Sequence, residues 1–149
     1  MKASPQLSAS LEDYLEAIFH IERDKHAARA KDIVERLGVH NSSVTQALRS
    51  LSDKGLVNYA PYDLITLTDE GRVAAADVVD RHQSLRTFLI EVLGLGAQQA
   101  EKDACKLEHA ISHEVLDRLR LLMDYRDNHP AEVITWSETQ GSFGPGRES

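Results

Sequence analysis

The chain has 149 residues, 42% hydrophobic and 28% charged, and its 17 Lys and Arg against 24 Asp and Glu leave a net charge of −7. These figures suit one globular domain or two small ones sharing a core, and they exclude a disordered or fibrous chain. A single cysteine excludes an intrachain disulfide; with no signal-peptide pattern and no apolar run near the ~20 residues of a membrane span, a cytoplasmic protein with no membrane partner is expected.

From Ser10 onward, Leu11, Tyr14, Leu15, Ile18 and Phe19 recur at helical spacing, with Ser10 the expected N-cap. Residues 29–37, RAKDIVERL, predict a short second helix that presents Ile33, Val34 and Leu37 and stops at Gly38. After the turn GVHN, the stretch SSVTQALRSLSDKG predicts a third helix with Val44, Leu48 and Leu51 inward and Gly55 as its stop. Short helix, tight Gly-containing turn, helix is the helix-turn-helix layout.

The apolar period then changes from helical to alternating. LVNY and LITLT read as short strands around APYD, where Pro61 and Asp63 suit a turn, and a β-ribbon directly after a helix-turn-helix is a wing. Thr68 is the expected cap of a long Ala- and Val-rich helix reaching Gly94, with Glu70 in its first turn. Two more helices follow, at about 98–112 and 113–125, and the polar, Gly-rich SETQGSFGPGRES reads as a flexible tail. The expected fold is mainly α with a small β-wing: a winged helix-turn-helix domain over 1–70, a helical domain over 71–128 and a flexible tail over 129–149. No internal repeat is present.

The third helix carries the first functional signal. Ser42, Ser43, Thr45, Gln46 and Arg49 face away from its apolar side. Hydroxyls reach phosphates or either kind of base, whereas Gln and Arg make bidentate contacts to adenine and guanine edges, so these five are the candidate DNA-reading residues. The overall acidity weighs mildly against a nucleic-acid partner, but Arg29, Lys31, Arg36, Arg49 and Lys54 cluster here and binding depends on one face.

The second signal is CKLEHAISHE, residues 105–114. On a helix Cys105, Glu108 and His109 lie three and four apart, which directs a thiol, a carboxylate and an imidazole the same way and makes a partial metal site.

SLEDYLEAIFHIE, VHNSSVTQALRSL, RHQSL and ACKLEHAISHEV, in that order over about residues 8–126, resemble the diphtheria-toxin-repressor type of metal-dependent transcriptional repressor, most closely its short two-domain manganese branch. The resemblance implies that the helical domain binds metal and dimerises, that the homodimer binds palindromic operator DNA, and that the genes it represses serve manganese or iron uptake and homeostasis. Residue by residue, it implies Asp13 and Glu16 from the first helix, His82 from the long helix, and Cys105, Glu108 and His109 as metal ligands. Hard carboxylates with imidazole suit Mn²⁺ or Fe²⁺.

Two departures bear on the metal. Cys105 stands where the manganese branch usually has a bridging glutamate and the iron branch has cysteine, whereas Asp13 stands where the iron branch has methionine. Arg86 occupies the place of an iron-branch glutamate ligand of a second site, a loss that Glu101, one turn before Cys105, could offset. The iron branch's SH3-like third domain is not expected in these 149 residues. Asp13, Glu16 and the short chain lean toward Mn²⁺ and Cys105 toward Fe²⁺, so Mn²⁺ or Fe²⁺ is the expected cofactor, with Mn²⁺ slightly ahead. A winged-helix regulator with Cys105 as a metal-free redox switch is the alternative. An enzyme is not expected, since nothing supplies a dedicated nucleophile or an oxyanion loop.

Overall fold

The computed structural model describes residues 7–60 and 64–146. It divides into two compact units, Met1–Val79 and Asp80–Ser149, and the division falls inside a helix.

The first unit opens with α1, Ala9–Lys25. Its N-cap is Ser8 rather than Ser10: the Ser8 side chain accepts from Leu11 N at 3.2 Å, so the helix begins two residues before its apolar stripe. Helix α2, Ala30–Leu37, is anchored at its start by Asp32, whose carboxylate accepts from Arg29 N at 3.0 Å and from Lys25 Nζ at 3.0 Å. Gly38 ends it in the left-handed conformation, φ 64°. Helix α3 spans Asn41–Asp53. Beyond it Gly55 has φ 72° and Leu56 N returns to Leu51 O at 3.0 Å, which turns the chain into the wing.

The wing is shorter than the alternation predicted. Strand β1 is Val57–Asn58 and β2 is Thr66–Leu67, antiparallel with Val57 opposite Leu67, and Ile65 extends the pairing through a bridge to Ala28. The turn expected at Pro61 and Asp63 lies outside the described residues. Helix α4, Asp69–Glu91, follows at once. Thr68 caps it as expected, accepting from Gly71 N at 3.0 Å while its hydroxyl donates to Gly55 O at 2.7 Å.

One core holds this unit together: Leu15, Ile18, Ile33, Val44, Leu48, Leu51, Leu56 and Ile65 are all at most 1% exposed. Each such side chain contributes about 1.5–3 kcal/mol by leaving water. The position of Gly71 is fixed by contact, since a Cβ there would stand 1.8 Å from Leu56 O. Glu22 ties α1 to the wing and to α4, accepting from Leu67 N at 2.8 Å and pairing with Arg72.

The second unit contains the end of α4, helix α5 (Ala97–Leu107) and helix α6 (His113–Asn128), whose N-cap Ser112 accepts from Val115 N at 3.2 Å. Its core is smaller: Leu85, Leu89, Ala100, Ala104 and Leu116. Helix α5 stops five residues earlier than the 98–112 expected. Arg81 Nη1 takes the Glu108 carbonyl oxygen at 2.7 Å, the acceptor a continuing helix would use, and Ser112 is committed to capping α6.

Residues 130–145, within the stretch expected to be a tail, form a 3-10 turn, Pro130–Glu132, and an antiparallel hairpin of β3 (Ile134–Ser137) and β4 (Ser142–Pro145). Trp136 packs edge-on against Phe143, centroids 5.0 Å apart. It also lies over Gly94, where a Cβ would come within 2.6 Å of Trp136 Cβ.

Candidate functional site

The DNA-reading candidates share one face of α3. Val44, Ala47, Leu48 and Leu51 are buried, which leaves Ser42, Ser43, Gln46 and Arg49 exposed and Thr45 half-buried. The Thr45 hydroxyl donates to Asn41 O at 3.1 Å, so its orientation is fixed and its lone pairs remain to accept. Arg29, Lys31, Arg36 and Lys54 of the same unit are also exposed. Burial along α3, set by the 3.6-residue period, thus leaves an exposed polar face that carries Arg49.

The metal-ligand candidates fall on both units. Asp13 and Glu16 lie one turn apart on α1 of the first, Asp13 exposed and Glu16 half-buried with its Oε1 3.6 Å from His20 Nε2. The second unit gathers the other four around the junction of α5 and the turn after it. His82 enters from α4, Cys105 from the last turn of α5, Glu108 is the C-cap of α5 and His109 follows. The early end of α5 does not scatter this set, because Glu108 retains helical dihedrals and its N–H still reaches Ala104 O at 3.0 Å.

Glu108 is the centre of the group. Only 1% exposed, its carboxylate has His82 Nδ1 2.8 Å from Oε2 and His109 Nε2 3.3 Å from Oε1. A carboxylate so buried needs positive charge or donors beside it. Cys105 Sγ lies 3.8 Å from the same His82 Nδ1. The Glu108 carboxylate and the Cys105 thiol thus both lie beside the same nitrogen of His82, and a set of imidazole, thiol and carboxylate donors suits a divalent transition metal. His82, Cys105, Glu108 and His109 are the residues of this unit that would hold it.

Two neighbours were less legible in the sequence. Glu101 Oε1 is 2.9 Å from His82 Nε2, and one donor atom each from His82, Glu101 and Cys105 lies within 4.8 Å of the others. Its position one turn before Cys105 was the signal. Arg81 carried none: it supports Glu108 through the backbone, and a lone Arg beside His82 reads as a surface charge.

Residues 6–64 match the family described as "Iron dependent repressor, N-terminal DNA binding domain", and residues 68–133 match "Iron dependent repressor, metal binding and dimerisation domain". An uncharacterized HTH-type transcriptional regulator of Methanocaldococcus jannaschii is 40% identical over 119 residues, 79% of this chain and 95% of the relative. The HTH-type transcriptional regulator MntR of Shouchella clausii is 34% identical over 131 residues, 88% and 91% of the two chains. Among solved structures, the manganese regulator SloR superposes with a TM-score of 0.67 at 28% identity, over 77% of this chain. The chain spans about half that regulator's length, 54%.

Proposed function

The chain belongs to the iron-dependent repressor family, and from that premise we propose that it is a metal-dependent transcriptional repressor that reads DNA through α3. The family is one of transcriptional regulators rather than enzymes. Binding of Mn²⁺ or Fe²⁺ gates its activity, and the regulated genes serve homeostasis of those metals. The observation that carries this reading is the buried Glu108 carboxylate between His82 and His109 with Cys105 alongside, in a chain that also presents an exposed polar face with Arg49 on the second helix of a helix-turn-helix.

The roles divide by chemistry. Gln46 and Arg49 read base edges, while Ser42, Ser43 and Thr45 bind phosphates or fix the helix in the groove. His82, Cys105, Glu108 and His109 hold the ion; from the family resemblance, Asp13 and Glu16 complete its coordination. A metal shared between ligands of the DNA-binding unit and of the second unit would fix the two recognition helices of a homodimer at the spacing of a palindromic operator. A bound divalent ion would supply two positive charges among these carboxylates and so would favour the DNA-competent arrangement; by linkage, DNA would tighten metal binding equally. Val115, Leu121, Leu122 and Tyr125 of α6 are exposed apolar side chains, and they favour a second copy of the chain as the partner of this unit.

The test is an alanine at Glu108 or His109, with the variants checked for folding by circular dichroism. The expected result is loss of metal-stimulated operator binding while basal, salt-sensitive DNA binding persists. Unchanged metal dependence would refute the assigned centre.

A further inference from the structure

We propose that Glu101, held by Arg86, is a positioning residue that sets the His82 ring for metal and is not itself a ligand. The inference rests on the reading of His82 as a ligand. His82 is engaged at both ring nitrogens, and by different kinds of partner. On one edge Nδ1 is 2.8 Å from Glu108 Oε2 and 3.8 Å from Cys105 Sγ, so it faces two other candidate ligands. On the other edge Nε2 is 2.9 Å from Glu101 Oε1.

A neutral imidazole offers one N–H and one lone pair, and a metal takes the lone pair. Glu108 and Glu101 each present a carboxylate to one nitrogen of His82, so the metal-free contacts alone single out neither tautomer; with a metal on the Nδ1 side, shared with Glu108, Nε2 would keep its hydrogen and donate it to Glu101. The second Glu101 oxygen is engaged as well, because Oε2 is ion-paired with Arg86, 3.0 Å from its Nε. Arg86 is permanently charged, so it fixes the carboxylate and supplies its counter-charge.

Three donor atoms of His82, Glu101 and Cys105 do lie close enough together to suggest an ion of their own. An ion that used Glu101 together with the ring nitrogen it faces, Nε2, would sit beside the Arg86 guanidinium. Arg86 opposes it by charge repulsion. The structure therefore assigns Arg86, Glu101 and His82 to one chain of support, cation to carboxylate to imidazole to metal. Such outer carboxylates hold the ring and raise its basicity, and their loss typically weakens metal binding by about 10–100-fold.

The experiment uses the full chain loaded with Zn²⁺, a diamagnetic probe, with histidine nitrogens followed by long-range ¹H–¹⁵N NMR and affinity and stoichiometry measured by competition and calorimetry. The expected result is His82 ligated through Nδ1, with an Nε2–H signal displaced downfield. That displacement is lost in Glu101→Ala and reduced in Glu101→Gln and Arg86→Ala. Affinity falls about 10–100-fold in Glu101→Ala with an unchanged number of ions per chain. Ligation through Nε2, or loss of one bound ion in Glu101→Ala, would make Glu101 a ligand and overturn the inference. So would His82 ligated through Nδ1 with wild-type affinity in Glu101→Ala, which leaves the metal-centre reading intact. A Zn²⁺ complex in which His82 is not ligated at all would overturn that reading and this inference together.

Discussion

At the scale of single residues, charge placement decides function more than composition does. The net charge of −7 would disfavour DNA, yet Arg49 stands exposed on α3 with Gln46 one turn before it. A bidentate guanidinium contact to a base is worth about 1–3 kcal/mol, so Arg49→Ala is expected to weaken specific operator binding by about 5–150-fold while non-specific binding changes far less. Fluorescence anisotropy on specific and scrambled duplexes separates the two. Asp32 is a structural counterpart. The Lys25 ammonium hydrogen-bonded to it holds its carboxyl below the ordinary value of 3.8, with the Arg29 N–H assisting against the effect of burial. A carboxylate with a depressed folded pKa stabilises fully above its unfolded value and loses that stabilisation as pH falls through the folded one. Asp32→Asn is therefore expected to lower Tm at pH 7 relative to wild type, and the difference should shrink on acidification below about pH 4. Thermal melts followed by circular dichroism at several pH values check it.

At the scale of elements, close approach matters as much as periodicity. Gly71 in the first turn of α4 lies so near Leu56 O that a methyl group would have to displace the helix or the start of the wing. Gly71→Ala should cost about 1–3 kcal/mol through overpacking, enough to lower Tm by roughly 5 °C or more. A helix propensity scale predicts the opposite sign, which makes the melt decisive.

The same contrast explains what could be read in advance. The helices of the first unit follow from stripes such as Leu11, Tyr14, Leu15 and Ile18, and Thr68 and Gly38 were legible as a cap and a stop because each acts locally. The end of α5 was not, since it depends on Arg81 reaching the Glu108 carbonyl across 27 residues. The β3–β4 hairpin was also missed. Ile134–Ser137 and Ser142–Pro145 are short, with Gly and Pro in the second strand, and Trp136 finds its place against Phe143 and Gly94 only in the folded unit. Cys105, Glu108 and His109 were recognisable as a set from spacing alone, whereas His82 came from the family resemblance and the role of Glu101 needed the structure.

At the scale of the whole molecule, one chain carries two matched domains, one for DNA binding and one for metal binding and dimerisation. The first unit has a large core and a helix, α3, with an exposed polar face that carries Arg49; the second has a small core, a buried carboxylate between imidazoles and exposed apolar side chains on α6. A small core that leaves Leu121 67% exposed suits a unit completed by a second copy, as the matched dimerisation domain implies. Among the described residues no helix is long and apolar enough to cross a membrane.

The central claim is that the metal controls DNA binding. Its most direct test is an anaerobic titration of Mn²⁺, and separately of Fe²⁺, into the metal-free protein, with binding to a target promoter followed by fluorescence anisotropy. The account predicts that at least one ion raises DNA affinity steeply and saturably, and that Glu108→Ala abolishes the response. DNA affinity that stays flat with both ions, on a promoter already shown to be the protein's target, would contradict it.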